Sequence, residues 1–316
     1  MSDRPFISVV SPVYRAEKLV SKLVERNYIV LRQLCGDNFE IILVEDGSPD
    51  NSWQAVQDQC NQKKNVTGVR LSRNFGQHYA ISMGLEYARG EWVVVMDCDL
   101  QDQPEEIPKL LGMALQGFDV VLARRYERQD GILKKLGSRS YYKVLNYLTG
   151  AGFDPAVANF GIYNHKVISN IVALRENIRY FPAMVKWVGF KSTSVDVEHA
   201  SRGEGKSNYN FNRLMRLGLD IILAYSEKPI WLTLKFGLLI SLMAIMFALY
   251  TLVRYFLGQI IVPGYTSLIF SVWFFSGLII ITLGAVGLYV GKTFENTKRR
   301  PYAIASQVSK GVESIK

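Results

Sequence analysis

Apolar residues recur through the first 125 positions in short β-branched runs, each ending abruptly in polar or charged residues. Positions 6–10, 39–44, 66–71, 92–96 and 119–123 are nearly continuous hydrophobic stretches. That is the pattern of strands buried on both faces of a parallel sheet. Between them, positions 16–33, 52–62, 78–88 and 104–116 carry apolar residues at helical spacing. Strands alternating with helices predict an α/β fold built on a mainly parallel, doubly wound sheet. Ser11-Pro12-Val13-Tyr14 reads as the loop after the first strand. There is no internal repeat and no low-complexity segment.

The pattern changes in the last third. Positions 236–253 carry no charge, and neither do 255–291. The stretch 236–257, roughly 22 residues, makes a helix of about 33 Å, enough to cross a hydrocarbon core of ~30 Å. Positions 258–265, Gly-Gln-Ile-Ile-Val-Pro-Gly-Tyr, read as a short turn, and a second span runs over 266–290. Lys228 and Lys235 precede the first span; Lys292, Lys298, Arg299 and Arg300 follow the second. Arg254 stands near a helix end, where it snorkels. The positive-inside rule therefore predicts a multi-pass protein of the cytoplasmic (inner) membrane, with both termini inside and the 258–265 loop outside. A buried helical hairpin is the alternative, but two uncharged spans of this length fit poorly inside a small domain. Positions 207–232 mix Phe211, Leu214, Met215 and Leu217 with Arg213, Arg216 and Asp220 at helical spacing, for an interfacial helix or for packing against the domain. The expected organisation is a cytoplasmic domain over 1–206, juxtamembrane helices over 207–233, two transmembrane helices over 234–291 and a basic cytoplasmic tail over 292–316.

Composition sharpens this. The 316 residues are 49% hydrophobic with a net charge of +9. Beside two apolar spans, that charge points to anionic lipid headgroups rather than nucleic acid. Cys35, Cys60 and Cys98 form no C-x-x-C pair, as expected of reduced thiols and not of a disulfide framework or zinc site. The amino-terminal five residues contain no signal-peptide apolar region. His78, His165 and His199 lack metal-ligand spacing and read as structural or surface groups, and Trp273, Phe274 and Phe275 as packing or lipid-facing.

Polar residues follow successive strands: Pro12 and Tyr14, Asp46 and Ser48, Arg73 and Asn74, Asp97 and Asp99. They converge on one edge of such a sheet, where open α/β folds bind ligands. Asp97 and Asp99, at i and i+2 of an extended segment, point the same way. They could hold a divalent cation together with a diphosphate, or simply end a strand in a turn. A P-loop and a G-x-G-x-x-G after the first strand are both missing, which disfavours P-loop hydrolysis and standard dinucleotide binding.

Four segments occur in a telling order: Ser8-Val9-Val10-Ser11-Pro12-Val13-Tyr14, Val44-Glu45-Asp46-Gly47-Ser48-Pro49-Asp50, Leu71-Ser72-Arg73-Asn74-Phe75-Gly76 and Met96-Asp97-Cys98-Asp99-Leu100-Gln101-Asp102. With Arg202-Gly203-Glu204-Gly205-Lys206-Ser207-Asn208-Tyr209 and Lys298-Arg299-Arg300-Pro301-Tyr302, the chain resembles family 2 inverting glycosyltransferases of GT-A fold. The nearer likeness is to the polyprenyl-phosphate branch, which includes dolichol-phosphate mannose synthase and bacterial enzymes making undecaprenyl-phosphate sugars. The resemblance implies a GT-A domain and transfer from a nucleotide diphosphate sugar, UDP-linked in the first instance, to undecaprenyl or another polyprenyl phosphate. The product would serve a surface polysaccharide or lipid modification.

Roles follow from the same likeness. Pro12, Tyr14, Glu17, Asp46, Ser48, Arg73, Asp97 and Cys98 would bind the nucleotide sugar, with Asp46 on the base. Asp97, Asp99 and Gln101 would hold Mg²⁺ or Mn²⁺, which stabilises the departing diphosphate. Arg125, Lys134, Ser138, Arg202 and Lys206 would grip the acceptor phosphate through charge-assisted hydrogen bonds. Asp97, Asp99 and Arg202 form the catalytic set. A homo-oligomer, such as a tetramer, is the family expectation. Two positions depart from the pattern: Asn159 stands where many relatives carry Asp, and Ala16 where many carry Glu, with Glu17 adjacent. A phosphate monoester has a second pKa near 6 and is largely ionised at neutral pH, so a strong general base is less necessary. Asn159 keeps open a different acceptor, a diacylglycerol or a polyprenyl-diphosphate sugar. A catalytically silent scaffold is the rival from another class. A processive synthase is disfavoured because Gln-x-x-Arg-Trp is missing.

Overall fold

The computed structural model of the chain describes residues 4–125, 143, 146–148, 157–174, 176, 178–198, 218, 222, 226, 228–257, 264–298 and 300–311. Strands β1 (Ile7–Val13), β2 (Phe39–Glu45), β3 (Val66–Leu71) and β4 (Trp92–Val95) alternate with helices α1 (Val20–Cys35), α2 (Ser52–Gln62) and α3 (Gln77–Tyr87). A 3₁₀ turn (Pro104–Glu106) leads into α4 (Ile107–Ala114), followed by β5 (Val120–Arg125) and β6 (Val157–Asn164). Helices α5 (His165–Ala173) and α6 (Phe181–Trp187) and strand β7 (Ser192–Val197) complete the domain before two long helices, α7 (Lys228–Phe256) and α8 (Tyr265–Thr297), and a last strand β8 (Ala305–Lys310).

The sheet order is β7-β5-β6-β4-β1-β2-β3-β8. β1 to β4 are mutually parallel, β5 and β7 run with them, and β6 and β8 run against them. The chain winds outward from β1 to β3, then returns to lay β4 on the other side of β1. Right-handed crossovers put helices on opposite faces when the winding direction reverses. Accordingly α1 and α2 pack against one face, through Leu23 and Val56, and α3 against the other, through Ile81. α4 joins the first core through Leu110, and α5 and α6 join the second through Ile168 and Met184. The switch point lies between β1 and β4, where such sheets bind ligands.

Several expectations are corrected. Positions 11–13 are strand, not loop, since Pro12 pairs with Val44 in the β1–β2 register. Val13 O accepts from Asp46 N on the β2 side and Val10 O from Met96 N on the β4 side, so Pro12 turns its N-H-less nitrogen toward β4, beyond the last ladder pair Val10↔Val95. No ladder donor is lost there, which is the condition for proline in a sheet. α1 begins at Val20 rather than at position 16, because Arg15 has φ 51° and the N–H groups of residues 15–17 donate to Ser48 and Asp50 in the loop after β2 and to Ser52, the first residue of α2. After position 292 the chain continues α8 to Thr297 and then adds β8 antiparallel to β3.

The long helices leave large apolar side chains exposed, among them Leu238, Phe247, Phe256, Ile280 and Ile281. Among the described residues one stretch, Phe274–Glu295, is long and apolar enough to cross a membrane by length and composition. At its end the Tyr289 hydroxyl donates to Ser226 O at 3.0 Å.

Candidate functional site

The loops after β1, β2, β3 and β4 meet at the carboxy-terminal edge of the sheet and are fastened to one another. Ser48 Oγ accepts from Arg15 N at 2.8 Å, and Ser52 Oγ accepts from Ala16 N at 2.9 Å. Asp50 accepts from the Ser48 and Ser52 hydroxyls at 2.5 and 2.6 Å. Burial alone would raise its pKa; these donors, with the Ser52 and Glu17 N–H groups, hold the carboxyl below its ordinary value. Glu17 also accepts from Asn51 Nδ2 at 3.4 Å. Tyr14 is exposed and lies beneath the Arg15 guanidinium, 5.5 Å from the ring centroid.

Asp46 is buried, and its two oxygens accept from Phe75 N at 2.7 Å and Gly76 N at 2.8 Å. Asn74 Nδ2 donates to Asp46 O at 3.0 Å. Gly47, at φ 58°, allows this closeness: a Cβ there would lie 2.4 Å from Arg73 C and Asn74 N. Burial pushes the Asp46 carboxyl above its ordinary value, against the lowering effect of the Phe75 and Gly76 N–H groups and of Arg73. Its neighbour Glu45 is fully buried, accepts from Ser48 N, and lies 3.3 Å from Arg70 Nε. Burial raises Glu45 as well, with Asp46 and Asp50 adding to the effect. Arg73 is exposed, 4.2 Å over the Phe75 ring.

Beyond β4, Asp97, Cys98, Asp99 and Gln101 are half-buried in one loop. Gln77, the first residue of α3, donates from Nε2 to Asp97 Oδ1 at 2.6 Å. Asp99 Oδ1 accepts from Gln101 N at 3.1 Å, an Asx-type closure, and Leu100 between them takes φ 59°. The 3₁₀ turn that follows is held to α1 by a two-pronged pair: Arg26 Nε and a terminal nitrogen donate to Glu105 at 2.9 and 2.5 Å. Burial pushes the Cys98 thiol up to about 12, so it stays protonated and inert at neutral pH.

The structure thus gathers Pro12, Tyr14, Glu17, Asp46, Ser48, Arg73, Asp97, Cys98, Asp99 and Gln101 at one edge. Arg125 ends β5, which runs with β4, so its backbone reaches the same edge. Asn159 is there too: it stands two residues before Gly161 on β6, which runs against β4, and Gly161 pairs with Val95, the last ladder residue of β4. Lys134, Ser138, Arg202 and Lys206 lie outside the described residues, as does His199. The sequence did not single out Gln77, Arg26, Glu105 or Glu45. Gln77 carried one signal, its place directly after the Asn74-Phe75-Gly76 loop at a helix start.

For a metal, the donor set offers carboxylate and amide oxygens, the chemistry of Mg²⁺ and Mn²⁺ rather than zinc. Among the described residues no group of three or more His, Cys, Asp or Glu is gathered into a cage. Two carboxylates on one loop fit an ion that takes its remaining ligands from water and a diphosphate.

The family model for glycosyl transferase family 2 matches residues 8–172, a segment that holds every strand of this edge from β1 to β6. An undecaprenyl-phosphate 4-deoxy-4-formamido-L-arabinose transferase of Pectobacterium carotovorum is 33% identical, over 98% of this chain and 95% of its own. An uncharacterized glycosyltransferase of Synechocystis is 33% identical over 96% of this chain and 95% of its own. Among solved structures, the mannosyl-3-phosphoglycerate synthase of Rubrobacter xylanophilus superposes with a TM-score of 0.50 at 17% identity, covering 70% of this chain and 73% of that one. That likeness is one of fold, the GT-A arrangement expected from the sequence.

Proposed function

The chain belongs to glycosyl transferase family 2, and on that premise we propose that it moves a sugar from a nucleoside diphosphate, UDP in the first instance, to undecaprenyl or another polyprenyl phosphate. The reaction takes place at the cytoplasmic face of the membrane, and the lipid-linked sugar serves a surface polysaccharide or lipid modification. The name of the Pectobacterium relative supports the acceptor class. One observation carries the reading. β8 enters the sheet where Ala305 pairs with Leu71 and Ser72 N donates to Ile304 O at 2.9 Å, at the carboxy-terminal end of β3. Only seven residues separate it from Thr297, the end of α8. Seven residues span at most about 25 Å. The apolar helix therefore delivers the chain to the edge that carries Tyr14, Asp46, Asp97 and Asp99, and a lipid phosphate at the membrane surface is within reach of that edge.

The nucleotide occupies the switch point, with Pro12, Tyr14, Glu17, Asp46, Ser48, Arg73 and Cys98 around base and ribose. Asp97, Asp99 and Gln101 hold Mg²⁺ or Mn²⁺, and that ion, when bound, offsets charge developing on the diphosphate. A phosphate oxygen of the lipid attacks the anomeric carbon in line as the bond to the nucleoside diphosphate breaks. The electron pair leaves on the diphosphate oxygen, and configuration inverts. Arg125, Lys134, Ser138, Arg202 and Lys206 hold the acceptor phosphate, which brings its own negative charge, so Asn159 positions rather than removes a proton. α7 and α8 are two transmembrane spans with both ends inside, and the protein is a homo-oligomer. A nucleotide-release assay on the full chain tests this, with undecaprenyl phosphate, Mg²⁺ or Mn²⁺, and a panel of UDP-, GDP- and dTDP-sugars. Lipid-dependent release with one donor is expected. Release that is independent of the polyprenyl phosphate, or restored only by another lipid, contradicts the acceptor.

A further inference from the structure

We infer that Gln77 is a positioning residue for the Asp97 carboxylate, and that this contact sets how well the site takes up a metal–nucleotide pair. The inference rests on the metal-dependent reading above and adds to it a residue outside the donor loop. Gln77 Nε2 lies 2.6 Å from Asp97 Oδ1. A carboxylate oxygen accepts and does not donate, so the amide nitrogen, not its oxygen, faces Asp97.

The position of Gln77 is fixed from three sides. Asp46, from the loop after β2, takes the Phe75 and Gly76 N–H groups and so determines where α3 starts. Gln77 is the next residue. α3 is pressed against the sheet at Gly84, where a Cβ would lie 2.5 Å from Val10 Cγ1 and 2.9 Å from Val44 Cγ2. Farther along α3, Glu86 accepts from the Tyr302 hydroxyl at 2.5 Å, so the segment returning from α8 holds the helix from outside. A rigid helix thus presents one amide to one acid of the candidate metal pair. The arrangement is that of an outer partner orienting a ligand, whose removal typically lowers metal affinity about 10–100-fold.

The test uses the full chain in detergent. Mn²⁺ is titrated in the presence of UDP, GDP or dTDP, and uridine or guanosine binding without metal is measured in parallel. Gln77→Met keeps length and helix propensity but removes the donor; Gln77→Asn keeps the amide and withdraws it by one methylene. Both are expected to raise the half-saturating Mn²⁺ concentration about tenfold or more, with metal-free nucleoside binding unchanged. In turnover, KM for the metal–nucleotide sugar rises more than kcat falls. If both variants take up Mn²⁺ like the wild type, the inference is overturned and the metal-dependent reading stands. If metal-dependent and metal-free binding weaken together, Gln77 only supports the fold and the inference is overturned as well. If the wild type shows no effect of Mn²⁺ on any nucleotide, the inference falls with the reading it rests on.

Discussion

At the amino-terminal edge of the sheet, the buried Glu40 carboxylate accepts from Ser8 Oγ at 2.6 Å and from Arg89 N at 2.7 Å, and the Arg89 guanidinium closes on it at 3.2 Å. Ser8 Oγ also accepts from Gly90 N at 2.7 Å. At the carboxy-terminal edge, Asp46 is met by two backbone N–H groups and Asp97 by a neutral amide. Glu45 and Asp46 are both pushed up by burial. The same sheet therefore holds acids in two ways. At the amino-terminal edge one acid ties the sheet together and a guanidinium closes on it. At the carboxy-terminal edge Arg70 lies beside Glu45, but Glu45, Asp46, Asp97 and Asp99 crowd the ends of the two strands that flank β1, and a dication with its diphosphate is the complement such a site wants.

The sharpest way to break this contrast is to exchange the fates of the two edges. Asp99→Ala should lower metal-stimulated nucleotide release on the order of 10²–10³-fold and leave the urea midpoint close to the wild-type value. Stability loss without activity loss would make the second edge structural too. Glu40→Ala should do the reverse. It leaves Ser8 Oγ and the Arg89 N–H without their acceptor, at about 1–3 kcal/mol, read in urea unfolding, with the metal dependence of the folded enzyme unchanged.

A smaller effect concerns pH. Burial pushes His78, beside the site on α3, down to about 4 from an ordinary 6.5, and among the described residues its Nδ1 has no hydrogen-bond partner. The folded chain then binds fewer protons than the unfolded one between these values, so stability is kept above pH 6.5 and is lost as pH falls toward 4. His78→Phe should flatten that slope in unfolding curves taken across the window; an unaltered slope would assign it to other groups. The smallest effect is at the Arg26–Glu105 pair. Arg26 overcomes the raising effect of burial and holds Glu105 below its ordinary 4.5, so the pair contributes above that pH and is lost as pH falls through the lowered value. Half exposed, it contributes about 0.2–1 kcal/mol, and Arg26→Ala should cost that much at neutral pH and nothing in strong acid.

How much the sequence could say follows the same division. The first four strands are legible because strands buried on both faces are continuous apolar runs. β8 (Ala-Ser-Gln-Val-Ser-Lys) and β7 (Ser-Thr-Ser-Val-Asp-Val) are edge strands, kept polar as exposed edges are, and they carry no such signal. β6 is interrupted by Gly161, which the sheet needs because a Cβ would lie 2.9 Å from Val121 O and from the Tyr163 hydroxyl. In the site, residues at strand ends were readable from the chain alone. The bonds that fix them were not: Gln77 reaches Asp97 across 20 residues and Arg26 reaches Glu105 across 79, and no local pattern records such pairings.

The central claim is that the crowded edge works on a lipid phosphate with a metal-bound nucleotide sugar. The most direct measurement follows a radiolabelled sugar from its nucleotide into the organic-extractable fraction, using full-length protein with undecaprenyl phosphate and Mn²⁺, beside Asp99→Ala and Glu40→Gln. The account predicts lipid-borne label with the wild type, its loss on chelation and in Asp99→Ala, and its persistence in Glu40→Gln. Equal label in Asp99→Ala and the wild type, or label that survives chelation, would contradict it.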